Sequence, residues 1–387
     1  MLVKKTYKFR IYPTKGQAEL MAKHFGSTRF CWNYFLAQRK ESYLEDRKSL
    51  NYHDNAKALT LLKKTTEFAW LSEVNAQSLQ ASLKDLDTAY GCFFKKQAMF
   101  PKFKAKHKST DSFRCPQSVD IRDSKLSVPK FREVIKIKLH RDMIGRILFA
   151  TISKTPTGKY FASITCETDH EVLPHTDKQV GIDLGIKDLA ICSDGTVFKN
   201  PKTTNKHAKK LAYEQRQLSK KKKGSGKRLK QRKKVTAVHE KIKNVRVNNI
   251  HKLTHSVIRD HKTVVVEDLN VKGMIKNHCL AKAIADVSWH ELTRQLEYKA
   301  QWNERAFTKV DRWFPSSKTC NTCNFIKQDL SLKDRTWTCP QCGTVLDRDV
   351  NAAQNILKQG LKILSGSGAE SDLKRKSGKA SVSNQSL

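Results

Sequence analysis

Val180-Gly-Ile-Asp-Leu-Gly-Ile-Lys-Asp-Leu-Ala-Ile-Cys-Ser-Asp-Gly-Thr-Val-Phe198 is the stretch on which the fold turns. It reads as short strands joined by tight turns. On the first strand, the period of two places Asp183 with Gly181 and Gly185 on one face, and Ile182 and Leu184 on the other. An acid flanked by glycines leaves an open face that a phosphate or metal ion could approach. The same aspartate would suit a turn beside a hairpin equally well, so the rest of the chain has to decide.

Downstream, Thr263-Val-Val-Val-Glu-Asp-Leu-Asn270 is a continuous β-branched run of the kind found in a strand covered on both faces. Glu267 and Asp268 point to opposite faces, so at most one shares Asp183's side. A carboxylate at the end of a buried strand is costly unless a cation pairs with it, and Lys, Arg or Mg2+ would serve. A helix is expected from about Ser288 to Phe307. Trp313-Phe-Pro-Ser-Ser-Lys-Thr leads into Cys320-x2-Cys323-x15-Cys339-x2-Cys342. Two such pairs supply four thiolates that close tetrahedrally around one Zn2+, leaving no open position, so this zinc holds structure and does no chemistry. Val345-Leu-Asp347-Arg-Asp349-Val-Asn351 opens a further helix, where either aspartate would also serve as an ordinary cap.

Taken together, the acids argue for more. One lies on a first strand, one at the end of a later buried strand and one at the start of a late helix, roughly 80 residues apart each time. RNase H-like folds bring three carboxylates together in this way. Like charges at that range repel strongly, and divalent metal resolves the conflict. Hard oxygen ligands favour Mg2+ or Mn2+ over zinc at such a trio.

Between the first two acids, residues 202 to 246 hold 18 Lys and Arg against Glu214 and Glu240. They read as two basic helices joined at Gly224-Ser225-Gly226, and such an excess of one sign fits contact with phosphates. Upstream, Lys5 to Tyr12 alternates as a strand, and Pro13-Thr14 precedes a helical stretch from about Lys15 to Arg47. Helical spacing recurs from Ala76 to Phe94, with Leu79, Leu83, Leu86 and Tyr90 on one face. Phe100-Pro-Lys-Phe-Lys breaks it, and short strands follow from about Ser112 to Thr168. Together they suggest a small antiparallel sheet or barrel with a helical insert. Glu167 to Lys178 reads as a polar linker.

The whole chain of 387 residues carries 75 Lys and Arg against 37 Asp and Glu, a net charge of +38. Self-repulsion of that size calls for a polyanion, and nucleic acid is the expected partner. Neither an amphipathic anchor nor a lipid site is found, so no membrane is expected. No apolar run reaches the roughly 18 residues of a span and no signal-peptide stretch follows the start, so a cytoplasmic, nucleoid-associated location is expected. Six scattered cysteines besides the four paired ones fit a reducing compartment rather than a disulfide framework.

Lys8-Phe-Arg-Ile-Tyr-Pro-Thr, Phe100-Pro-Lys-Phe-Lys, Gly181-Ile-Asp-Leu-Gly, Val266-Glu-Asp-Leu, the four-cysteine ribbon and Asp347-Arg-Asp-Val-Asn-Ala-Ala together resemble the TnpB family of bacterial insertion sequences, in order from about residue 4 to residue 362. The resemblance implies an RNA-guided DNA endonuclease related to type V CRISPR effectors, which binds a guide RNA from the transposon end and cuts double-stranded target DNA beside a short flanking motif. It implies an α/β multidomain chain. A β-barrel wedge domain would span 1–10 and 116–175, with a helical recognition insert at 11–115. An RNase H-like, RuvC-type nuclease core would span 176–318 and 344–364, with a zinc ribbon at 319–343 and a disordered tail at 365–387. Carried over by position, the catalytic acids are Asp183, Glu267 and Asp349. Asp349 is preferred to Asp347 because it stands two residues before Asn351. Gln77 and Gln80 would read base edges, since glutamine pairs bidentately with adenine. Lys102, Lys104, Arg216 and Lys230 are further candidate nucleic-acid contacts, and one RNA per monomer is expected. Two alternatives stay open: a non-cleaving DNA-binding or transposition accessory protein, and an unguided structure-selective nuclease.

Overall fold

The computed structural model describes residues 1–106, 109–331 and 333–366. Most of the expected tail, from 367 onward, lies outside the described residues. The chain divides into two compact units, Leu2–His170 and Glu171 onward.

The first unit begins with β1 (Leu2–Tyr12), α1 (Lys15–Asp46), α2 (Tyr52–Leu62), a 3-10 turn at Ala69–Glu73 and α3 (Ala76–Phe94). Six strands follow: β2 (Asp111–Cys115), β3 (Asp120–Arg122), β4 (Lys125–Ser127), β5 (Ile135–Lys138), β6 (Arg146–Lys154) and β7 (Tyr160–Asp169). They form one antiparallel sheet in the order β2-β6-β7-β1-β5-β4-β3. Tyr7, Phe9 and Ile11 of β1 alternate into its core. Among the described residues the ladder ends at β2 and β3 instead of closing, an open sheet where a barrel was expected. The sheet also takes in Asp111–Cys115, which the sequence division at residue 115 had left with the helices. Thr14 and Gln17 form a capping box at the start of α1. Leu79, Leu83 and Leu86 of α3 pack with Trp32, Phe35 and Leu36 of α1 in a separate helical core.

The second unit holds β8 (Gln179–Asp183), β9 (Asp188–Cys192), β10 (Val197–Lys199), α4 (Thr203–Lys206), α5 (Ala208–Ser219), α6 (Gly226–Asp260) and β11 (Thr263–Glu267). It continues through α7 (Val271–Met274), α8 (His278–Val287), α9 (Trp289–Trp302), β12 (Ala306–Val310), β13 (Thr336–Thr338), β14 (Val345–Asp347) and α10 (Arg348–Gly366). Its main sheet runs β10-β9-β8-β11-β12, antiparallel through β8 and then parallel.

β11 is covered on both faces, which accounts for its unbroken valines. Val264 and Val266 pack with residues of α6 and α9 such as Val257, Leu292 and Leu296, whereas Val265 packs with Val310 and with Ile356 of α10. Two glycines let α10 come down on that second face. A Cβ on Gly181 would lie 2.6 Å from the Leu357 nitrogen, and one on Gly360 would lie 2.9 Å from the Val265 Cβ. Gly181 therefore makes room for a helix, not for a phosphate. The expected helix to Phe307 stops at Trp302. The Asn303 amide caps the Lys299 carbonyl at 2.8 Å and Glu304 takes a left-handed φ of 53°. Ala306–Val310 is then the sheet's outer parallel strand.

Candidate active site

The register of the parallel strands decides which acids meet. Gly181 lies beside Val265 and Ile182 beside Val266. Asp183 and Glu267 thus follow at the same ends of adjacent strands, on the face covered by α10. The first turn of α10 carries Asp349. The three charges feel one another: burial first, then Glu267 and Asp349, push the Asp183 carboxyl up to about 7, with Arg348 opposing. Burial also raises Glu267, against the Ser316 hydroxyl that donates to its Oε1 at 2.6 Å.

Asp349 accepts from Arg335 at 3.0 Å and from the Nη2 of Arg348 at 3.0 Å. The remaining two acids have other employment. Asp347 Oδ1 accepts from the Asp349 and Val350 backbone N–H groups at 3.1 and 2.9 Å, so Asp347 is the cap and Asp349 is left free of that role. Asp268 pairs with Arg312 at 2.5 Å.

The donor chemistry separates two groups of candidate ligands. Cys320, Cys323, Cys339 and Cys342 place their sulfurs within 4.8 Å of one another, which fits a structural zinc. Hydrogen bonds from the Thr344 hydroxyl and backbone lower the pKa of the Cys342 thiol. Among the described residues this is the one cluster so tight. The carboxylates are coupled but more open, with Asp349 drawn to its arginines, and their oxygens suit a hard divalent ion.

The ribbon is tied to α10. Asn351, buried, donates to the Thr319 carbonyl at 2.7 Å and accepts from Asn321 N at 2.9 Å. Asn355, also buried, donates to the Ser316 and Thr319 carbonyls at 2.8 and 2.6 Å. Ser316, Arg335, Arg348 and Asn355 were missed in the sequence because a lone serine or arginine carries no spacing signal. The position of Arg348 between two acids was the one available hint.

The nucleic-acid candidates are differently placed. Gln80 is exposed and Gln77 half-buried on the first turns of α3, where Asn75 caps the Gln77 N–H at 3.1 Å. The Lys104 ammonium sits 3.7 Å from the centre of the Trp32 ring, and burial lowers its pKa despite Asp85. It is committed to internal packing. Lys102 is exposed, and its carbonyl accepts from the Trp32 indole at 3.0 Å. Arg216 and Lys230 are exposed on α5 and α6. Those helices are pinned together where Arg228 donates to the Leu218 and Lys221 carbonyls at 2.8 and 2.9 Å. No described helix is long and apolar enough to cross a membrane.

Three domain families match. One described as "Probable transposase" covers residues 163–278, a "Cas12f1-like, TNB domain" covers 289–356, and a "Helix-turn-helix domain" covers 1–48. Residues 1–48 here are a strand and one unbroken helix. A solved Cas12f1 complex with sgRNA and target DNA is alike in fold, with a TM-score of 0.55 at 13% identity, over 92% of this chain and 98% of that one. A Streptomyces pristinaespiralis protein named "Putative RNA-guided DNA endonuclease" is 41% identical, over 93% of this chain and 90% of its own length. The InsQ protein of Escherichia coli K12, bearing the same description, is 35% identical over 92% of each. At that identity over nearly the full length of both partners, the chain belongs to the TnpB family of insertion-sequence proteins.

Proposed function

We propose that this protein is an RNA-guided DNA endonuclease of an insertion sequence, and that Asp183, Glu267 and Asp349 are its catalytic acids on an RNase H-like, RuvC-type sheet. The observation that carries the reading is the parallel register of β8 and β11, which sets Asp183 beside Glu267 under the helix that bears Asp349. Mg2+ or Mn2+ at these carboxylates would supply activation of water and stabilisation of the leaving oxygen. The chain's own groups do the positioning. Ser316 fixes the Glu267 carboxylate, and Arg335 and Arg348, both on Asp349, are the guanidinium donors beside it for a phosphate oxygen.

Guidance is supported by the names of the two long relatives, and RNA and DNA partners by the Cas12f1 complex of like fold. The +38 charge fits a long polyanion. The sheet and helices of the first unit are read as the wedge and recognition parts, with Gln77 and Gln80 toward the flanking motif.

The test is to purify the protein from cells carrying its native locus and sequence the RNA that accompanies it. A discrete RNA with a constant scaffold and a variable 3′ end names the DNA target, which the wild type then cuts in Mg2+ and Asp183→Ala does not. Heterogeneous RNA and no guided cutting would overturn guidance.

A further inference from the structure

Trp313 is 84% exposed, and Phe314 beside it packs against the buried cluster of Val265, Val310 and Ile356. A large aromatic left in water while its neighbour anchors the loop calls for a partner outside the unit. The loop is held on both sides of the indole by the ends of the sheet. Arg312 pairs with Asp268 at 2.5 Å, Ser316 donates to Glu267 at 2.6 Å, and the Trp313 backbone N–H donates to Asp311 Oδ1 at 2.8 Å. The loop thus holds the backbone under an exposed ring three residues from a side chain that touches Glu267. Three residues span at most about 11 Å, the rise of about three stacked nucleotides at about 3.4 Å each.

We propose that Trp313 is a positioning residue: its indole stacks on a nucleobase of the DNA strand entering the Asp183, Glu267 and Asp349 site and so sets which phosphodiester is presented. This rests on the endonuclease reading above. A base fits better than an apolar protein surface because Asp311 and Arg312 stand exposed beside the indole, while Phe314 is turned onto the Val265, Val310 and Ile356 cluster. Every base offers a π face, so the contact holds a strand of any sequence, as a guided enzyme requires.

The experiment uses the full protein with its guide RNA. In the Asp183→Ala complex, 5-iododeoxyuridine is placed in turn at each position of either target strand, the sample is irradiated, and crosslinked peptides are mapped by mass spectrometry. Crosslinks from one or two adjacent DNA positions to the Trp313 peptide are expected. In the Asp183-containing protein, Trp313→Ala should slow cutting by about 5- to 150-fold, the range for loss of one base stack. Cut positions should blur, target binding should be unchanged, and Trp313→Phe should recover most of the rate. Crosslinking of that peptide to iodouridine in the guide RNA, or a Trp313→Ala protein that cuts as fast and at the same phosphates as the wild type, would overturn the stacking role alone. A wild type that does not cut at all would overturn both readings.

Discussion

A single methyl group at Gly181 perturbs the proposed site without touching any of its acids. The Cβ of Gly181→Ala would meet the Ala353 carbonyl oxygen, the Leu357 nitrogen at 2.6 Å and the Leu357 Cβ at 2.9 Å, all on α10. Ordinary contact begins at 3.4 Å, so the helix must retreat by at least about 0.8 Å at the Leu357 nitrogen, and by more at the still closer Ala353 carbonyl oxygen. Backbone cannot swing aside as a side chain can. Overpacking of this kind costs about 1–3 kcal/mol, so urea unfolding should show a loss of that size. The larger effect should be on rate. Asp349 rides on the displaced helix while Asp183 and Glu267 stay on the sheet, and a misplacement near 1 Å costs on the order of 100-fold. Guided cleavage measured at a temperature where the variant is fully folded should fall by about that factor, with RNA binding and zinc content retained. Gly91→Ala, in a helix and with nothing within 4 Å of the added carbon, is the control and should cut normally. A Gly181→Ala protein that unfolds and cuts like the wild type would refute the claim that α10 is seated on this strand.

Asp183→Ala and Glu267→Ala should each abolish Mg2+-dependent cutting while target binding, followed by gel shift, stays within about twofold, as loss of only transition-state interactions requires; normal cutting would remove the residue from the mechanism. Cys320→Ser should lower bound zinc and solubility, and normal folding with full zinc measured by atomic absorption would show that the thiolate is no ligand. Asp286 is nearly buried and receives Thr204 and Arg246, whose bonds outweigh the effect of burial and hold its carboxyl below the usual range. A depressed pKa contributes stability that is present above the unfolded value of about 3.9 and lost as pH falls through the folded value. Asp286→Ala should therefore cost about 3 kcal/mol at neutral pH, near the lower end for breaking a buried pair because Arg246 is partly exposed. The cost should shrink below about pH 4, and a pH-independent difference in urea unfolding would contradict the assignment.

What was legible in the sequence was whatever has a strong local signature. The cysteine spacing, the valine run of β11 and the Leu79-Leu83-Leu86 stripe each follow from a repeat or ligand rule that needs no tertiary information. The acids were legible only as a set, since each alone could have been a turn or cap residue. Asp347 proves to be that cap, a choice that two aspartates in one helix start cannot make from sequence alone. The glycine beside Asp183 was misread because a close approach looks the same in sequence whether the visitor is a ligand or a helix. The start of β12, Ala306 and Phe307, falls in the expected helix because five residues at a sheet edge carry too short an alternation to outweigh a helical run. Lys104 is a candidate nucleic-acid contact in the sequence because nothing local reveals that Trp32, far away in sequence, receives it.

The zinc ribbon and the acids belong to one construction. Ser316 donates its hydroxyl to Glu267 and gives its carbonyl to Asn355, so a single residue joins the end of β11 to the helix that carries Asp349. Asn351 and Asn355 both bind the Thr319 carbonyl, immediately before the first zinc-ligand candidate. Arg335, from the loop between the two cysteine pairs, reaches Asp349 itself. Buried amides that lose their acceptors carry a penalty of about 1–3 kcal/mol each, so a ribbon that opens also releases α10 from residues 316 to 319. Zinc at the four cysteines, though it would perform no chemistry, would thereby gain a hold on the geometry of the metal proposed to perform it. Loss of zinc should reduce the rate of cutting before it unfolds the sheet, because Val180, Ile182, Val264 and Val266 are packed by α6 and α9 from the other face and have no need of the ribbon.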